Sequence, residues 1–283
     1  MTVPVRHDDV LLPVRDEGPR GGEVVLLLHG FPQDGSCWDE VVPLLHAAGL
    51  RTLAPDQRGY ATTARPDATS AYDIDALVGD ALAVLDASGP ATAHVVGHDW
   101  GGALAWHLAA RHPDRVASVT VLSTPHPAAL AEAMVRSTQP LMSWYTVAVQ
   151  APVLPEVVLA RTLPLLLRRS GLPQEHAERY AARLSEPADL RGPLGWYRAA
   201  ARRMLRPGRG TDPGTVDVPT TYVWGRHDPA LGRSAAERTR RHVRGPYLFV
   251  ELDEGHWLPE CRPAEVAEAV LDRVRTTAPD ALG

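Results

Sequence analysis

Residues 93–101 read AHVVGHDWG, and this stretch decides the fold of the chain. The first four residues form a short apolar run that is typical of a buried strand, and Gly97 ends that run. Apolar residues then recur with helical spacing over 103–109, before His112-Pro113 ends the pattern. The sequence therefore predicts a strand, a sharp glycine turn and a helix, with Asp99 at the tip of the turn.

Aspartate at this tip restricts the chemistry that the turn can perform. The G-x-D-x-G pattern resembles the G-x-nucleophile-x-G turn of the α/β-hydrolases, with aspartate where serine usually stands. A carboxylate is ionised at neutral pH and attacks without the help of a base. It displaces a leaving group from saturated carbon and forms an ester that water must hydrolyse, so epoxides and alkyl halides are the expected substrates. The alternative is an ordinary aspartate that caps a helix.

The composition fits one globular enzyme and excludes several other classes. The 283 residues are enough for one large α/β domain with an inserted lid, and the net charge of −5 gives no reason to expect nucleic acid. Met1–Asp9 lacks the apolar core of a signal peptide, and the apolar stretch 153–167 is too short and too charged to span a bilayer. Cys37 and Cys261 predict free thiols in a reducing compartment. We expect a cytoplasmic enzyme, monomeric or homodimeric, that needs no cofactor and no metal ion.

Strands and helices alternate over the first 125 residues. Apolar runs predict strands at 24–28, 51–54, 93–96 and 116–122. Helical periodicity predicts helices at 38–48 and 74–85. This alternation predicts a mostly parallel sheet with helices on both faces, and two earlier strands near 5–11 and 12–15 are expected to form an antiparallel edge.

The pattern changes from Pro125 to about Pro213, where the sequence is helical and rich in proline. Strand patterns return at 220–224 and 247–252 and must complete the sheet. We therefore expect an α/β core, residues 1–125 and 214–283, that carries an all-helical lid (cap) at 126–213. A lid would shield a reactive site from bulk water, and a separate helical domain is the alternative.

The second chemical step needs a base beside Asp99. Gly255-His256-Trp257 follows the last predicted strand, where α/β-hydrolases keep their histidine, and the order of nucleophile, acid and histidine places the acid between 99 and 256. Asp228, just beyond the 220–224 strand, is the expected acid that orients His256 and stabilises its imidazolium form. Asp253 is the alternative acid.

The loop after the 24–28 strand, His29-Gly30-Phe31-Pro32, should complete the site. Backbone N–H groups of Phe31 and Trp100 are the expected oxyanion hole for attack of water on the ester of Asp99. His29 is expected to brace this loop, and Pro32 raises the chance of a cis peptide bond after Phe31.

Four motifs together resemble the soluble epoxide hydrolase branch of the α/β-hydrolases. They are His29-Gly30-Phe31-Pro32, Asp56-Gln57-Arg58-Gly59-Tyr60, Gly97-His98-Asp99-Trp100-Gly101-Gly102 and Gly255-His256-Trp257. The resemblance covers nearly the whole chain and is weakest in the lid. It implies an α/β-hydrolase fold, an Asp-His-Asp triad and a covalent mechanism.

The resemblance also implies two lid tyrosines that hydrogen-bond the epoxide oxygen. Ser143-Trp144-Tyr145 and Gly195-Trp196-Tyr197 are similar to the family's tyrosine motifs, although asparagine is usual where Gly195 stands. Tyrosine is acidic enough to protonate an alkoxide and is still neutral at pH 7. The alternative for each is packing at the junction of lid and core. Tyr180 is the third choice and is expected on a helix surface.

Two other functions remain open at this point. A haloalkane-type dehalogenase could use Asp99 and hold the halide with the indole N–H groups of Trp100 and of Trp144 or Trp196, although Phe31 replaces a donor found in one branch of that family. A small-molecule binding protein on the same scaffold is the other, and the intact triad argues against it.

Apolar side chains of the lid suggest the kind of substrate. These are Leu141, Met142, Val147, Val149, Val153, Leu154, Leu163 and Leu165–Leu167. If they line a pocket, an apolar epoxide that is converted to a vicinal diol is favoured over a sugar or a charged acid.

Overall fold

The computed structural model describes residues 1–206 and 210–277. Its strands are β1 (Thr2–His7), β2 (Val10–Glu17), β3 (Val24–Leu28), β4 (Arg51–Pro55), β5 (Ala93–His98), β6 (Val116–Leu122), β7 (Thr220–Gly225) and β8 (Tyr247–Leu252). Within the described residues these eight strands form one sheet in the order β1-β2-β4-β3-β5-β6-β7-β8. The first two strands pair antiparallel, β2 pairs antiparallel with β4, and the remaining pairs are parallel. The predicted mostly parallel sheet with an antiparallel edge is confirmed.

The helices lie along the sheet and in one long insertion between β6 and β7. In the core they are α1 (Val42–Ala47), α2 (Ile74–Ser88), α3 (Trp100–Arg111), α10 (Arg233–Arg238), α11 (Leu258–Cys261) and α12 (Pro263–Arg275). The insertion comprises α4 (Pro127–Arg136), α5 (Gln139–Met142), α6 (Tyr145–Ala148), α7 (Leu154–Arg169), α8 (Gln174–Arg183) and α9 (Pro187–Met204). We call residues 127–204 the helical insertion.

Alternate side chains of β3 point into two separate cores. Leu26 and Leu28 pack with residues of α2 and α3 on one face, whereas Val25 and Leu27 pack with residues of α1 and α12 on the other. A strand that is apolar at every position is expected where both faces of a sheet are covered. Because these strands are parallel, their carboxyl ends meet at one edge of the sheet, where ligands bind in open α/β sheets.

The helical insertion leaves and re-enters the core at neighbouring points, because β6 and β7 are paired strands. His126, just before α4, donates a hydrogen bond from Nε2 to the carbonyl oxygen of Gly214, 3.1 Å away, and so links the start of the insertion to the segment that leads into β7. Of the expected core and lid ranges, residues 207–209 and 278–283 lie outside the described residues.

Three sequence-based expectations about packing are corrected by the structure. The first two strands turn at Asp8-Asp9, not near Leu11, because Val10, Leu12 and Val14 share one buried face of a single strand. Tyr180 is fully buried instead of lying on a helix surface.

The third correction concerns the apolar side chains of the insertion, many of which are exposed. The exposed members of the expected set are Leu141, Val147, Val153, Leu154, Leu165 and Leu166. Across the described part of the chain, no helix has the length and apolarity that crossing a membrane requires.

Candidate active site

Asp99 stands alone between β5, which ends at His98, and α3, which begins at Trp100. Its backbone has φ 51° and ψ −120°, a conformation that side-chain-bearing residues rarely adopt and that costs about 1–3 kcal/mol. Its carbonyl oxygen accepts hydrogen bonds from Ala103 N at 3.0 Å and from Thr124 Oγ1 at 2.7 Å. The predicted strand, turn and helix are confirmed, and these contacts hold the carboxylate at the carboxyl edge of the sheet.

The loop after β3 approaches this carboxylate directly. Phe31 N donates a hydrogen bond to Asp99 Oδ1 at 2.7 Å, and the Phe31–Pro32 peptide bond is cis. A Cβ atom at Gly30 would collide with the side chain of Asp99, so only glycine permits this approach. His29 Nδ1 donates to Gly30 O at 3.0 Å, and its Nε2 accepts from Gln57 N at 3.0 Å. This pairing fits the expected bracing role of His29.

His256 lies between two carboxylates. Its Nδ1 is 2.7 Å from Asp228 Oδ2, and its Nε2 is 3.7 Å from Asp99 Oδ2. Asp228 has no solvent-exposed side-chain surface, and its Oδ1 accepts hydrogen bonds from Ala230 N at 2.8 Å and Leu231 N at 2.9 Å. The structure thus brings together the three residues that the sequence separates by 157 positions, from Asp99 to His256.

The alternative acid, Asp253, lies elsewhere. Its Oδ1 accepts from Arg226 Nε at 2.8 Å and is 2.7 Å from His227 Nε2, and all three side chains are exposed. Asp253 is therefore engaged in a surface ion pair and makes no hydrogen bond with His256 in the described structure.

Burial and charge oppose each other in the pKa values of this site. Burial lowers the pKa of His256, but the Asp228 carboxylate, assisted by Asp99, outweighs it and raises the pKa to about 9. Burial raises the pKa of Asp99, while His256 and the backbone N–H groups of Phe31 and Trp100 act against that rise. The hydrogen bond from Phe31 N, one of the two expected oxyanion-hole donors, thus stabilises negative charge on the Asp99 carboxyl group.

Tyr145 and Tyr197 enter this site from the helical insertion. The ring of Tyr197 packs edge-on against Trp100 at 4.9 Å and Phe31 at 5.7 Å, and the ring of Tyr145 lies 6.1 Å from that of Tyr197. Burial first and the Asp99 charge second raise the pKa of both phenols, so both stay neutral at pH 7. The insertion therefore brings both phenol rings into an aromatic cluster with Trp100, the residue after Asp99.

The departure at Gly195 has a steric reason. A Cβ atom at this position would come within 2.6 Å of the Tyr72 ring, so asparagine cannot fit unless that ring moves. Tyr72 is itself fixed by a hydrogen bond from its hydroxyl to Pro66 O at 2.8 Å. Glycine here permits close packing of α9 against the core next to Tyr197.

The two tryptophans that were expected to assist Trp100 in holding a halide are placed differently. Trp196 donates its indole N–H to Arg58 O at 2.8 Å, and Trp144 is 67% exposed. Neither therefore stands as a second halide donor beside Trp100, and the side chain of Phe31 offers no donor.

Sequence reasoning missed a buried polar chain behind the triad. His98 Nε2 lies 2.9 Å from the carbonyl oxygen of His256, and its Nδ1 lies 2.8 Å from Gln33 Oε1. Gln33 Nε2 and the Tyr180 hydroxyl donate to Glu260 Oε1 at 2.7 and 2.8 Å. His98 lies within a recognised motif and Gln33 directly follows another, but which buried polar groups pair depends on tertiary contacts that no local pattern records.

Metal-binding potential within the described residues lies outside this site. The side chains of Glu40, Glu175 and His176 come close enough to share an ion, but both carboxylates are exposed. Exposed acidic groups of this kind are common without a metal ion, and the group touches none of the predicted site residues.

Comparison with known proteins agrees with the fold. The family model for the alpha/beta hydrolase fold matches residues 23–263, and the chain belongs to this family. Within it, the chain is 35% identical to epoxide hydrolase A of Mycobacterium tuberculosis over 95% of both chains. It is 32% identical to the AB hydrolase superfamily protein YfhM of Bacillus subtilis over 96% of both chains. The crystal structure of epoxide hydrolase A from Mycobacterium thermoresistibile superposes with a TM-score of 0.84 at 30% identity and covers 97% of this chain and 98% of that one.

Proposed function

We propose that this protein is an epoxide hydrolase that converts an apolar epoxide to a vicinal diol through a covalent ester on Asp99. The observation that carries the proposal is the position of Asp99. Its carboxylate accepts a hydrogen bond from Phe31 N and lies beside His256, and the ring of Tyr197 packs on Trp100, the next residue of the chain. The names of its relatives, two of them epoxide hydrolases, support the same reaction.

In the first step, Asp99 attacks an epoxide carbon from the side opposite the ring oxygen. A carbon–oxygen bond forms to Asp99 and the ring carbon–oxygen bond breaks, so that negative charge develops on the leaving oxygen. Tyr145 and Tyr197 hydrogen-bond that oxygen, and one of them gives it a proton. Their raised pKa values keep both phenols protonated at neutral pH, so that each can donate a hydrogen bond to the leaving oxygen.

In the second step, water hydrolyses the ester. His256 must be neutral to take a proton from water, and the Asp228 carboxylate stabilises the imidazolium ion that results. Formation of the ester removes the negative charge of Asp99, one of the charges that raise the pKa of His256. The first step therefore lowers the pKa of the base that the second step needs. The N–H groups of Phe31 and Trp100 hold the oxyanion. When that intermediate collapses, the bond between the carboxyl carbon and the diol oxygen breaks, and the imidazolium ion of His256 protonates the leaving oxygen. The Asp99 carboxyl group loses its proton to solvent, and solvent restores the proton that the phenol gave up in the first step.

The helical insertion acts as a lid in this proposal, and the core comprises the residues on either side of it. Aromatic rings surround the nucleophile, which supports an apolar substrate even though many apolar side chains of the insertion are exposed. Two free cysteines support a cytoplasmic location.

Mass spectrometry of a trapped intermediate tests the proposal. The His256→Gln variant should form the ester and fail to hydrolyse it, so the protein should gain the mass of a styrene-type epoxide. The Asp99→Asn variant is the control and should gain no mass. The absence of an adduct in the His256→Gln variant would contradict the covalent mechanism, and release of bromide from a terminal alkyl bromide without diol formation would favour a dehalogenase.

A further inference from the structure

Gln139 is a buried amide at the start of α5, and the mechanism above assigns it no part. Only 1% of its surface is exposed. Gln139 Nε2 donates to Ala230 O at 2.6 Å, and Gly232 N donates to Gln139 Oε1 at 2.9 Å. One side chain of the helical insertion therefore makes two hydrogen bonds with the loop after β7, one to a carbonyl oxygen and one from an N–H two residues later, as an adjacent β-strand would.

That loop is also the one that holds Asp228. Ala230 offers its N–H to Asp228 Oδ1 and its carbonyl oxygen to Gln139, so the same residue links the acid to the insertion. Gln139 is in turn anchored by its second hydrogen bond from Nε2, to Ser143 Oγ at 2.9 Å. Asp228 is thus linked, through Ala230, to a side chain from outside the core.

A cavity of about 290 Å³ adjoins this contact, and its lining includes Gln139, Met142, Asp228 and Arg233. Although Asp228 borders the cavity, its side chain has no exposed surface. Loss of the Gln139 side chain would open a path for water from the cavity towards the acid. Water beside Asp228 would weaken its electrostatic effect on His256.

We propose that Gln139 is a positioning residue for the hydrolytic step, because it fixes and shields the loop that presents Asp228 to His256. This inference rests on the proposed function, since it assigns Gln139 to one of the two steps. The insertion then has two roles: it supplies the two phenols, and it positions the acid that orients His256.

The test separates ester formation from ester hydrolysis in single-turnover experiments with a styrene-type epoxide. Gln139→Met keeps the length of the side chain and removes its hydrogen bonds. We expect ester hydrolysis to slow by about tenfold or more, a part of the 10²–10⁴-fold that a positioned base contributes. If Gln139→Met fails to fold, Gln139→Asn provides the test. It keeps the amide but is one carbon too short to reach both loop groups, so it should slow the same step.

The pH profile provides a readout that a purely structural role would not change. Four ionisable groups surround His256: Asp228, Asp99, His98 and Glu260. Only Asp228 belongs to the loop that Gln139 contacts. If Asp228 is less firmly positioned, it stabilises the imidazolium form of His256 less, and the pKa of His256 falls. The pH range over which the rate of ester hydrolysis rises should therefore move to lower pH in Gln139→Met. An unchanged profile would overturn the proposal.

A double-mutant cycle with Asp228→Asn completes the test. Once Asp228 can no longer act as the acid, Gln139→Met should slow hydrolysis no further, because both changes remove the same support. Additive losses would overturn the proposal.

Gln174→Met is the matched control, since Gln174 is an exposed glutamine of the insertion that contacts Glu178. If the wild-type protein forms no ester, the proposed function fails. If it forms the ester and Gln139→Met hydrolyses it at the wild-type rate, only this inference fails.

Discussion

The two sides of the active site are held in different ways. On the core side, Asp228 and His256 lie in the loops that follow the paired strands β7 and β8. Hydrogen bonds of 2.7–2.9 Å join them to each other and join Asp228 to the backbone of its own loop. On the insertion side, Tyr145 and Tyr197 are placed by ring contacts between 4.9 and 6.1 Å. Hydrogen bonds fix direction, whereas ring packing leaves a side chain freer to adjust. The core side should therefore be intolerant of small changes, and the insertion side more tolerant.

The largest effect is expected on the core side. Asp228→Asn keeps the shape of the acid but removes its charge, and it also permits the wrong tautomer of His256. By analogy with the acid of a serine protease triad, ester hydrolysis should slow by about 10³–10⁴-fold while ester formation remains rapid. Stopped-flow and mass measurements of the ester separate the two steps.

Asp253→Asn is the matched control, because Asp253 lies in a surface ion pair, and it should act like the wild-type protein. If Asp228→Asn instead slowed ester formation alone, the assignment of Asp228 to the second step would be wrong.

A smaller effect is expected from the insertion side. Tyr145→Phe and Tyr197→Phe should each slow ester formation by about ten- to a hundredfold, because the remaining phenol still donates to the epoxide oxygen. Ester hydrolysis should be unchanged, since neither phenol takes part in it. The rate of ester formation under single-turnover conditions measures the effect.

Tyr247→Phe, on β8, provides the control for loss of a phenol, because the Tyr247 ring packs against Arg240 and not against the site. Equal losses in both steps would mean that the two lid tyrosines support the site structurally and do not act on the epoxide oxygen.

The two steps should also differ in their dependence on pH. Ester hydrolysis requires neutral His256, so its rate should rise about tenfold per pH unit and level off. The plateau should begin below pH 9, because the pKa of about 9 belongs to the enzyme with ionised Asp99, and the ester lacks that charge.

Ester formation should instead fall at acidic pH as Asp99 is protonated. Burial raises the pKa of Asp99, so this loss should begin at a higher pH than for an ordinary aspartate. Single-turnover rates across a pH series test both limbs. A hydrolysis rate that decreases from acidic to neutral pH would contradict the role of His256 as a base.

The smallest effect concerns stability where α9 meets the core. Gly195→Asn installs the residue that is usual in the family and should lower the free energy of unfolding by about 1–3 kcal/mol, because its Cβ meets the Tyr72 ring. The loss should be smaller in a Tyr72→Ala background. Gly21→Asn is the control, since no atom lies within 4 Å of a Cβ there. Urea denaturation of the wild type, the three single variants and the double variant measures these losses, and equal losses at Gly195 and Gly21 would exclude the steric explanation.

The core could be predicted from the sequence largely because its signals are local. The apolar runs of β3 and β5, the glycine turn around Asp99 and the histidine after β8 each depend on a few adjacent residues. The order of the triad residues then follows from the fold, so the meeting of Asp228 with His256 needed no long-range information beyond the fold itself.

The insertion was predicted less well, for a physical reason. Helical periodicity indicates which residues share a face, but it does not reveal which face meets the core. Tyr180 was expected to be exposed and is buried against Glu260, whereas Leu141 and Val147 are apolar and exposed. Gln139 carries no sequence signal at all, because its partners are backbone atoms of a loop about 90 residues away.

The adjacency of β6 and β7 has a consequence for protein engineering. The insertion leaves and returns to neighbouring strands, and His126, at its start, is hydrogen-bonded to Gly214 in the segment before β7. It could therefore be exchanged as one unit between relatives. The Gln139 contact sets the boundary of such a graft. A chimera that carries a foreign insertion without the matching loop after β7 would be expected to acquire new phenols but to lose the support of the base that activates water for ester hydrolysis.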